Sequence, residues 1–401
     1  MRSRRSYRFR GGNRGAKAAV ALLSAMAFGW EVRSAGYDDY ARAEVVATDS
    51  ASGVYQAEHE AGVPDTPVYP GMQCGCQPEG GFCGPAEGGN RSGGIVNRFL
   101  GPACPRWTAQ VDALMLWRSN MASYPLLALN NGTTFPTVLN ANEIYSDMAV
   151  GPRAALMLHL DNEYAFEGNY FYVGSISGSS AFVAPAATGY AFDNLAGWNL
   201  GDITNGVAVL NGEIQSVELN VRHRHCGSPV TWLAGFRWVE WNDELTINDN
   251  FAETVEPFAV GTDNVRSLAT NDLYGGQLGL DALLLTFADV VRINAVAKAG
   301  VYGNFDAQNT VSVGGDRIGP DTITRSRDQV SFFGEIGVNG AVRISQHVFW
   351  RAGYNFFWLA GVATAPQQLG AVDLAGTSQG RVDAGGSVFL QGVNTGIEVL
   401  W

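Results

Sequence analysis

Charged residues are scarce in this chain of 401 residues. Asp, Glu, Lys and Arg make up 16% of it, against about 25% in soluble domains. After residue 35 there is no run of 17 unbroken apolar residues, so the mature sequence lacks a segment long enough to cross a bilayer as a helix. Glycine is abundant at 50 residues, and aromatic residues reach 11%. This composition indicates a β-rich protein whose outer surface is not an ordinary water-facing surface.

The N-terminus has the pattern of an export signal. Residues 1–17 contain seven basic residues, of which Lys17 is the last. The apolar run AAVALLSAMAFGW follows at 18–30. A basic segment before a short apolar run is typical of a secretory signal peptide. We therefore expect a signal peptide over 1–35, although Arg33 is unusual so close to a cleavage site. The alternative is an uncleaved N-terminal anchor.

Loss of residues 1–35 makes the chain strongly acidic. It leaves 18 basic and 37 acidic residues, a net charge of −19. Such a surface repels nucleic acid, so no polynucleotide partner is expected.

Residues 36–106 are predicted to be a flexible linker that contains Cys, Gly and Pro. They show no sustained period of 2 or 3.6, and PGMQCGCQPEGGFCGPAEGGN consists of turn-forming residues throughout. Disulfides are the first interpretation for cysteines in an exported chain. The candidates are Cys74, Cys76, Cys83 and Cys104, whose pairing the sequence leaves open. A metal or a cross-link to a second chain are the alternatives at Cys74 and Cys76.

From Trp107 onward, apolar and polar residues alternate with period 2 in segments that are separated by turn-forming residues. Ten segments alternate in this way: 107–118, 153–161, 163–173, 216–224, 229–241, 271–284, 291–302, 329–345, 347–361 and 391–401. Most have 9 to 15 residues, whereas soluble strands usually have about 5–6 and membrane strands about 9–11. Lipid offers no partner to an open sheet edge, so such a sheet must close. We predict an all-β fold, an antiparallel transmembrane β-barrel of about 10–12 strands over 107–401.

Tryptophans support this interpretation. Trp107 and Trp117 lie on one face about 25 Å apart along the membrane normal, the spacing of two aromatic girdles, and Trp350 and Trp358 nearly repeat the arrangement. The last segment ends at Trp401, and we expect its pairing with the first strand to close the barrel. The alternative for the aromatics is the core of a secreted β-sandwich.

The sequence also resembles a known family. The segments GFRWVEWNDELTI (235–247), NDLYGGQLGL (271–280), FFGEIGV (332–338), RAGYNFFWLAGVATAPQQL (351–369) and GIEVLW (396–401) are similar to the beta-barrel porin-7 family, formerly a domain of unknown function. The resemblance spans about residues 107–401 and implies residence in the cell outer membrane. It implies no catalytic or ligand residues.

No catalytic constellation is evident. The densest group of reactive side chains is His223-Arg224-His225-Cys226-Gly227-Ser228, which could be a metal pair or a nucleophile site. Gly227-Ser228-Pro229 ends the strand there, so we interpret the group as a solvated turn. We expect no enzyme activity, no metal and no cofactor.

The remaining candidates are polar residues on the faces opposite the apolar ones, which would point into the barrel. The predicted lumen set is Gln110, Asp112, Glu167, Glu218, Asn220, Arg222, Arg237, Gln277, Asp281, Arg292, Asn294, Glu335, Arg351 and Asn355. In a wide barrel these side chains would line water, and in a narrow one they would pair and fill the interior. The predicted function is therefore a narrow porin-like channel for small solutes or a structural barrel of the envelope. The alternatives are an adhesive β-sandwich and, more remotely, an outer-membrane hydrolase.

The expected partners follow from this location. They are the lipid of the outer membrane and the β-barrel assembly machinery, which would engage the C-terminal strand. No oligomeric state follows from the sequence.

Overall fold

The computed structural model describes residues 105–401 except 120–122, 131–135, 162, 185–188, 193–201, 226–227, 253–259, 289, 315–320 and 374–378. These residues all belong to one compact unit, Val68–Trp401. The predicted signal peptide, most of the linker and the four cysteines Cys74, Cys76, Cys83 and Cys104 lie outside the described residues.

The described part of the chain is almost entirely β-strand. Its strands are β1 (Trp107–Ser119), β2 (Pro125–Asn130), β3 (Thr137–Asn140), β4 (Ala149–His159), β5 (Tyr164–Val183), β6 (Gly189–Phe192), β7 (Asp202–His223), β8 (Val230–Ala252), β9 (Val260–Phe287), β10 (Val291–Gly314), β11 (Asp321–Arg343), β12 (Val348–Val362), β13 (Val372–Asp373), β14 (Gln379–Gly380) and β15 (Gly386–Leu400). A 3-10 turn covers Ala141–Glu143, and one short helix, α1, covers Ala365–Leu369. Among these residues no helix is long and apolar enough to cross a membrane.

Ten strands form a closed antiparallel ring. Its order is β7-β5-β4-β1-β15-β12-β11-β10-β9-β8, and β8 pairs back to β7. Strand β1 pairs with β15 from Thr108↔Leu400 to Ser119↔Phe389. A closed ring leaves no unpaired edge, which a sheet in lipid requires. The predicted all-β barrel of about 10–12 strands is confirmed, and the two-sheet sandwich is inconsistent with one continuous ring.

Strands β2, β3 and β6 lie in the long connections. They add to the sheet at β7 but are not members of the closed ring. Strand β6 pairs with β7 at one position, Tyr190↔Ile203, and continues the sheet to β2 and β3. Beyond these strands, β5 and β7 continue toward the long-connection end and pair from Ile176↔Gly212 to Val183↔Asn205. A bulge at Ser175, whose φ is 58°, interrupts this ladder.

The two ends of the ring differ in their connections. One end carries the connections 160–163, 224–229, 288–290 and 344–347, and strands β1 and β15 also meet the ring's edge there. The opposite end carries the longest connections, 120–148, 184–201 and 363–385. Outer-membrane barrels have short turns on the periplasmic side and longer loops outside. We therefore assign the short-turn end to the periplasm and the long-connection end to the exterior.

The outward face is apolar over only part of each strand. On β8, Trp232 and Phe236 are 60% and 49% exposed, whereas beyond Trp238 the outward positions toward the long-connection end are Glu240, Asn242 and Glu244. The exposed apolar side chains of other strands at the level of Trp232 and Phe236 include Leu219, Leu278, Val301, Val338 and Ile397. We call this zone the apolar belt. It marks the part of the ring that meets hydrocarbon.

Strands β5 and β7 to β11 continue well beyond the belt, since they have 20 to 28 residues where about 9–11 suffice to cross a bilayer. The sequence predicted shorter strands because the outer parts carry polar residues on both faces. Alternation of apolar and polar residues, on which the prediction depended, fades there.

Candidate functional site: the barrel interior

The interior is the only place where distant ring strands can exchange side-chain contacts. Arg153 on β4 donates to Glu335 on β11 over 3.1 Å, although these strands are four apart in the ring. Arg237 on β8 donates to the same Glu335 over 2.8 Å. Lys298 on β10 donates to Glu218 on β7 over 2.7 Å. These five side chains form what we call the central ion-pair layer.

The central layer is largely shielded from water. Arg237 is 0% exposed, Glu218 is 1% exposed and Glu335 is 2% exposed, whereas the side chain of Arg153 is 15% exposed. The guanidinium of Arg237 also donates to the hydroxyl of Ser216 over 2.9 Å and lies 4.1 Å from the centre of the Phe333 ring. Buried charges persist only when they are paired, and each charge of this layer has an opposite charge within 4 Å.

Two further groups of ion pairs lie toward the short-turn end. Arg222 donates to Glu167 and Asp281, and Asn294 donates to Asp281 over 3.0 Å. Beyond them, Glu398 pairs with Arg292 and with Arg351, the second at 3.7 Å.

Exposure rises in the same direction, since the side chain of Arg292 is 34% exposed and that of Arg237 is 0% exposed. The exposure of the paired side chains thus falls from Arg292 near the short-turn end to Arg237 in the central layer.

Charge is balanced inside the belt. The basic side chains of these three groups are Arg153, Arg222, Arg237, Arg292, Lys298 and Arg351, and the acidic ones are Asp112, Glu167, Glu218, Asp281, Glu335 and Glu398. Six positive side chains therefore face six negative ones. An interior of this kind has no excess of one sign that would select ions of the other.

An apolar layer follows on the side of the long connections. Its buried members are Leu114, Leu116, Ala149, Phe171, Val173, Ile176, Ile214, Val239, Trp241, Leu273, Tyr302, Phe333, Phe357, Leu359, Val362, Val388 and Leu390. Each of the ten ring strands contributes to this layer. The rings of Phe171 on β5 and Phe357 on β12 stand 5.4 Å apart, although their strands are four apart in the ring. The layer therefore extends across the bore.

Glycines allow the wall to close on this packing. A Cβ on Gly392 of β15 would lie 1.8 Å from the carbonyl oxygen of Met115 on β1, and a Cβ on Gly151 of β4 would lie 1.8 Å from that of Tyr172 on β5. Only glycine permits such approaches.

The described parts of the connection between β12 and β15, 363–373 and 379–385, fold into the bore above the apolar layer. Asn271 of β9 donates to the carbonyl oxygen of Ala363 over 2.9 Å and accepts from its N–H over 2.7 Å. Asp243 of β8 accepts from the N–H of Ala365 over 3.0 Å and from both terminal nitrogens of Arg118 over 2.7 and 3.2 Å. This connection covers the interior from the outside.

A cavity of about 810 Å³ lies among the ends of β5 and β7 to β10, beyond the apolar belt, and Asp249 and Asp263 are among its lining residues. The two aspartates face each other in register on β8 and β9. Burial and the neighbouring Asp263 raise the pKa of Asp249 to about 7.

All fourteen residues of the predicted lumen set lie on the inward side of their strands, and each makes a side-chain hydrogen bond or ion pair there. Five of them have not yet been described. Gln110 donates to Glu398, Asn220 to Glu167, Gln277 to Glu218 and Asn355 to Asn394. Asp112 accepts from Arg351. The side chains of this set pair with one another and with further inward residues, and they do not line an open water column at the central layer.

Sequence reasoning missed Arg118, Arg153, Asp243 and Lys298 as interior residues. Arg118 has the inward parity of Asp112, Asp243 that of Arg237, and Lys298 that of Asn294. Applying the parity rule along the whole of each strand would have found these three. No residue of β4 was in the set, so Arg153 had no such reference.

The four predicted girdle tryptophans lie on the outward side. Trp107 and Trp350 stand toward the short-turn end, and Trp117 and Trp358 stand nearer the other edge of the belt, opposite Gln391 and Phe389 of β15. Trp117 contacts Tyr354 at 6.0 Å between ring centres. The N–H of Trp401 donates to the carbonyl oxygen of Trp107 over 3.1 Å, at the β1–β15 junction.

The His223 region lies at the end of a strand, as the sequence indicated. His223 ends strand β7, opposite Tyr164, and a connection follows up to the start of β8 at Val230. Glu163, His223 and His225 bring their ligand atoms within 4.8 Å of one another. Strand pairing brings Glu163 to the histidines over 60 residues of sequence, so the sequence alone did not indicate this neighbour.

Comparison with known families shows to which family the chain belongs. The model of the family described as "Putative beta barrel porin-7 (BBP7)" matches residues 107–399. The chain belongs to this family. The porin-7 chain is thus a porin-like outer-membrane β-barrel, and its place is the cell outer membrane. No curated protein matches its sequence.

Solved structures of other barrels show limited similarity to this porin-7 chain. The outer membrane protease OmpT from Escherichia coli is 9% identical, with 74% of this chain and 96% of that chain covered and a TM-score of 0.42. The Pseudomonas putida toluene transporter TodX is 9% identical, with 74% and 91% covered and a TM-score of 0.30. A Pseudomonas aeruginosa FadL homologue is 9% identical, with 73% and 89% covered and a TM-score of 0.27. Similarities at this level say nothing about a shared activity.

Proposed function

We propose that this barrel is a narrow channel for small solutes that rests in a closed conformation. The observation that carries the proposal is the central ion-pair layer, which joins strands three and four apart across the bore. Charged side chains at this position can be hydrated when they separate, so the layer has a second state that is compatible with water. Conduction would therefore require the ion pairs and the apolar layer above them to rearrange.

The balanced charge of the interior supports solutes without a strong net charge. Six basic and six acidic side chains offer hydrogen bonds to polar groups of either sign. We therefore propose small polar solutes, with weak discrimination between cations and anions.

Planar-bilayer recording tests the proposal. Wild-type barrel should show stepwise openings separated by long closed periods. The double variant Arg237→Ala/Glu335→Ala removes one charge of each sign from the central layer. It should raise the open fraction at least about tenfold, which corresponds to about 1.4 kcal/mol in the closed–open equilibrium.

A matched control uses the exposed outer pair Arg266–Glu244, joined over 2.6 Å outside the apolar belt. Arg266→Ala/Glu244→Ala should leave the open fraction unchanged. Absence of wild-type steps at all voltages would contradict the channel and leave a structural barrel. Steady wild-type conductance would contradict the closed resting state.

We also propose that the chain is not an enzyme. Its family is a porin family, and its inward polar side chains pair with one another rather than converge on a vacant reaction centre. A panel of fluorogenic peptide and ester substrates tests this proposal, and turnover that persists after purification of the refolded barrel would contradict it.

The partners that we propose are the outer-membrane lipid and the β-barrel assembly machinery. Exposed apolar side chains of the belt, such as Leu219 and Val301, support the first. Strand β15, which completes the ring against β1, supports the second. A variant with β15 deleted should fail to bind the assembly machinery in a pull-down, and retained binding would contradict this assignment.

A further inference from the structure

Two connections at the short-turn end bring a carboxylate beside two imidazoles. Glu163 directly precedes β5, and His223 and His225 lie at and just after the end of β7. Pairing of Tyr164 with His223 sets this register, and the N–H of Arg224 donates to the carbonyl oxygen of Glu163 over 2.8 Å. The position of the three side chains is thus fixed by the backbone ladder.

The three ligand atoms lie within 4.8 Å of one another. Tetrahedral Zn²⁺ with bonds of about 2.0–2.2 Å holds its ligand atoms about 3.3 Å apart. The difference is small enough for side-chain rotation to close it. His225 is exposed and stands at the edge of the group, so its rotation meets little obstruction.

A second observation points to a ligand at this place. Nδ1 of His223 is buried and has no hydrogen-bond partner among the described residues. A buried polar atom without a partner is energetically unfavourable. The ring of His223 is held between Tyr164, at 4.5 Å, and His225, at 4.8 Å, so it is already oriented. The ring of His223 therefore stands fixed beside the other two ligands and carries a nitrogen that the described residues leave unsatisfied.

We propose that Glu163, His223 and His225 form a binding site for a divalent transition-metal ion, with Zn²⁺ as the cation that fits best. Two imidazoles and one carboxylate are a ligand set that Zn²⁺ takes with a fourth position open to water. The bound ion links the connection 160–163 to the connection 224–229 at the periplasmic rim. The site is separate from the interior, and it does not depend on whether the barrel conducts.

The test uses the refolded full-length barrel in detergent, with its five cysteines replaced by serine in every arm so that thiols bind no metal. Zn²⁺ is titrated against a colorimetric chelator. We expect one Zn²⁺ per barrel whose affinity falls at least about tenfold in His225→Ala and in Glu163→Gln. His347→Ala removes another exposed imidazole at the same end of the barrel and should leave this affinity unchanged.

Folding is checked in each arm by the heat-dependent shift in gel mobility. Wild-type affinity in His225→Ala and Glu163→Gln would overturn the site, as would an equal loss in His347→Ala. Failure of the cysteine-free barrel to bind Zn²⁺ would overturn it as well. Co²⁺ in place of Zn²⁺ gives a separate reading, since a tetrahedral site with imidazole ligands shows visible absorption bands that the two variants should lack.

Discussion

Replacing Arg237 by Met should strongly destabilise the barrel. The guanidinium is 0% exposed and lies 2.8 Å from Glu335 and 3.4 Å from Glu218. Met keeps the length of the side chain but leaves two buried carboxylates with less compensation. Breaking a buried pair by removing one partner costs about 3–5 kcal/mol. Lys298 remains 2.7 Å from Glu218 and 3.9 Å from Glu335, so we expect the lower part of that range.

Urea unfolding in lipid vesicles, followed by tryptophan fluorescence and gel mobility, measures this loss. Arg266→Met is the control, since its pair with Glu244 is exposed and should contribute less than about 1 kcal/mol. If Arg237→Met were no more harmful than Arg266→Met, the central layer would not hold desolvated ion pairs.

Three further predictions concern the belt, the outer cavity and the folded-in connection. Ala297→Arg, on the outward face in the middle of the belt, should lower the free energy of unfolding by about 2–4 kcal/mol. Ala307→Arg, on the same face of β10 but beyond the belt, should lower it by about 0–1 kcal/mol. Unfolding in vesicles measures both, and equal losses would contradict the assignment of this face to lipid. The pKa of Asp249 is raised to about 7, so the native barrel holds this proton more tightly than the unfolded chain. The stability of the barrel should therefore fall as pH rises from about 4 to about 7. Thermal melts measure this fall, and Asp249→Asn should remove it. An unchanged pH profile in this variant would refute the assignment. Asn271→Ala removes two hydrogen bonds to the connection 363–385, so limited proteolysis should cut this connection faster than in wild type, and an unchanged rate would show that other contacts hold it.

The barrel could be predicted from sequence because period-2 alternation persists through the belt. On β8 the series Trp232, Ala234, Phe236 and Trp238 faces outward as predicted, and Arg237 faces inward. Beyond the belt, outward positions such as Glu240 are polar. The contrast between faces then disappears, and the full strand lengths could not be read.

Contacts across the bore could not be predicted. Parity shows that Arg153 and Glu335 point inward, but it does not show that strands four apart place them 3.1 Å from each other. The packing of Phe171 on Phe357 depends on ring size and tilt in the same way. The inward fold of 363–385 was also missed, since its small apolar residues resemble the end of a strand.

Water access to the inside of the belt decides between a sealed and an open barrel most directly. Ser216 is 0% exposed and lies beside Arg237, whereas Asn294 lies nearer the short-turn end and is partly exposed. In a cysteine-free barrel refolded in vesicles or detergent, a charged thiol reagent should modify Asn294→Cys and leave Ser216→Cys intact. Modification of Ser216→Cys at a comparable rate would contradict a bore closed at the central ion-pair layer.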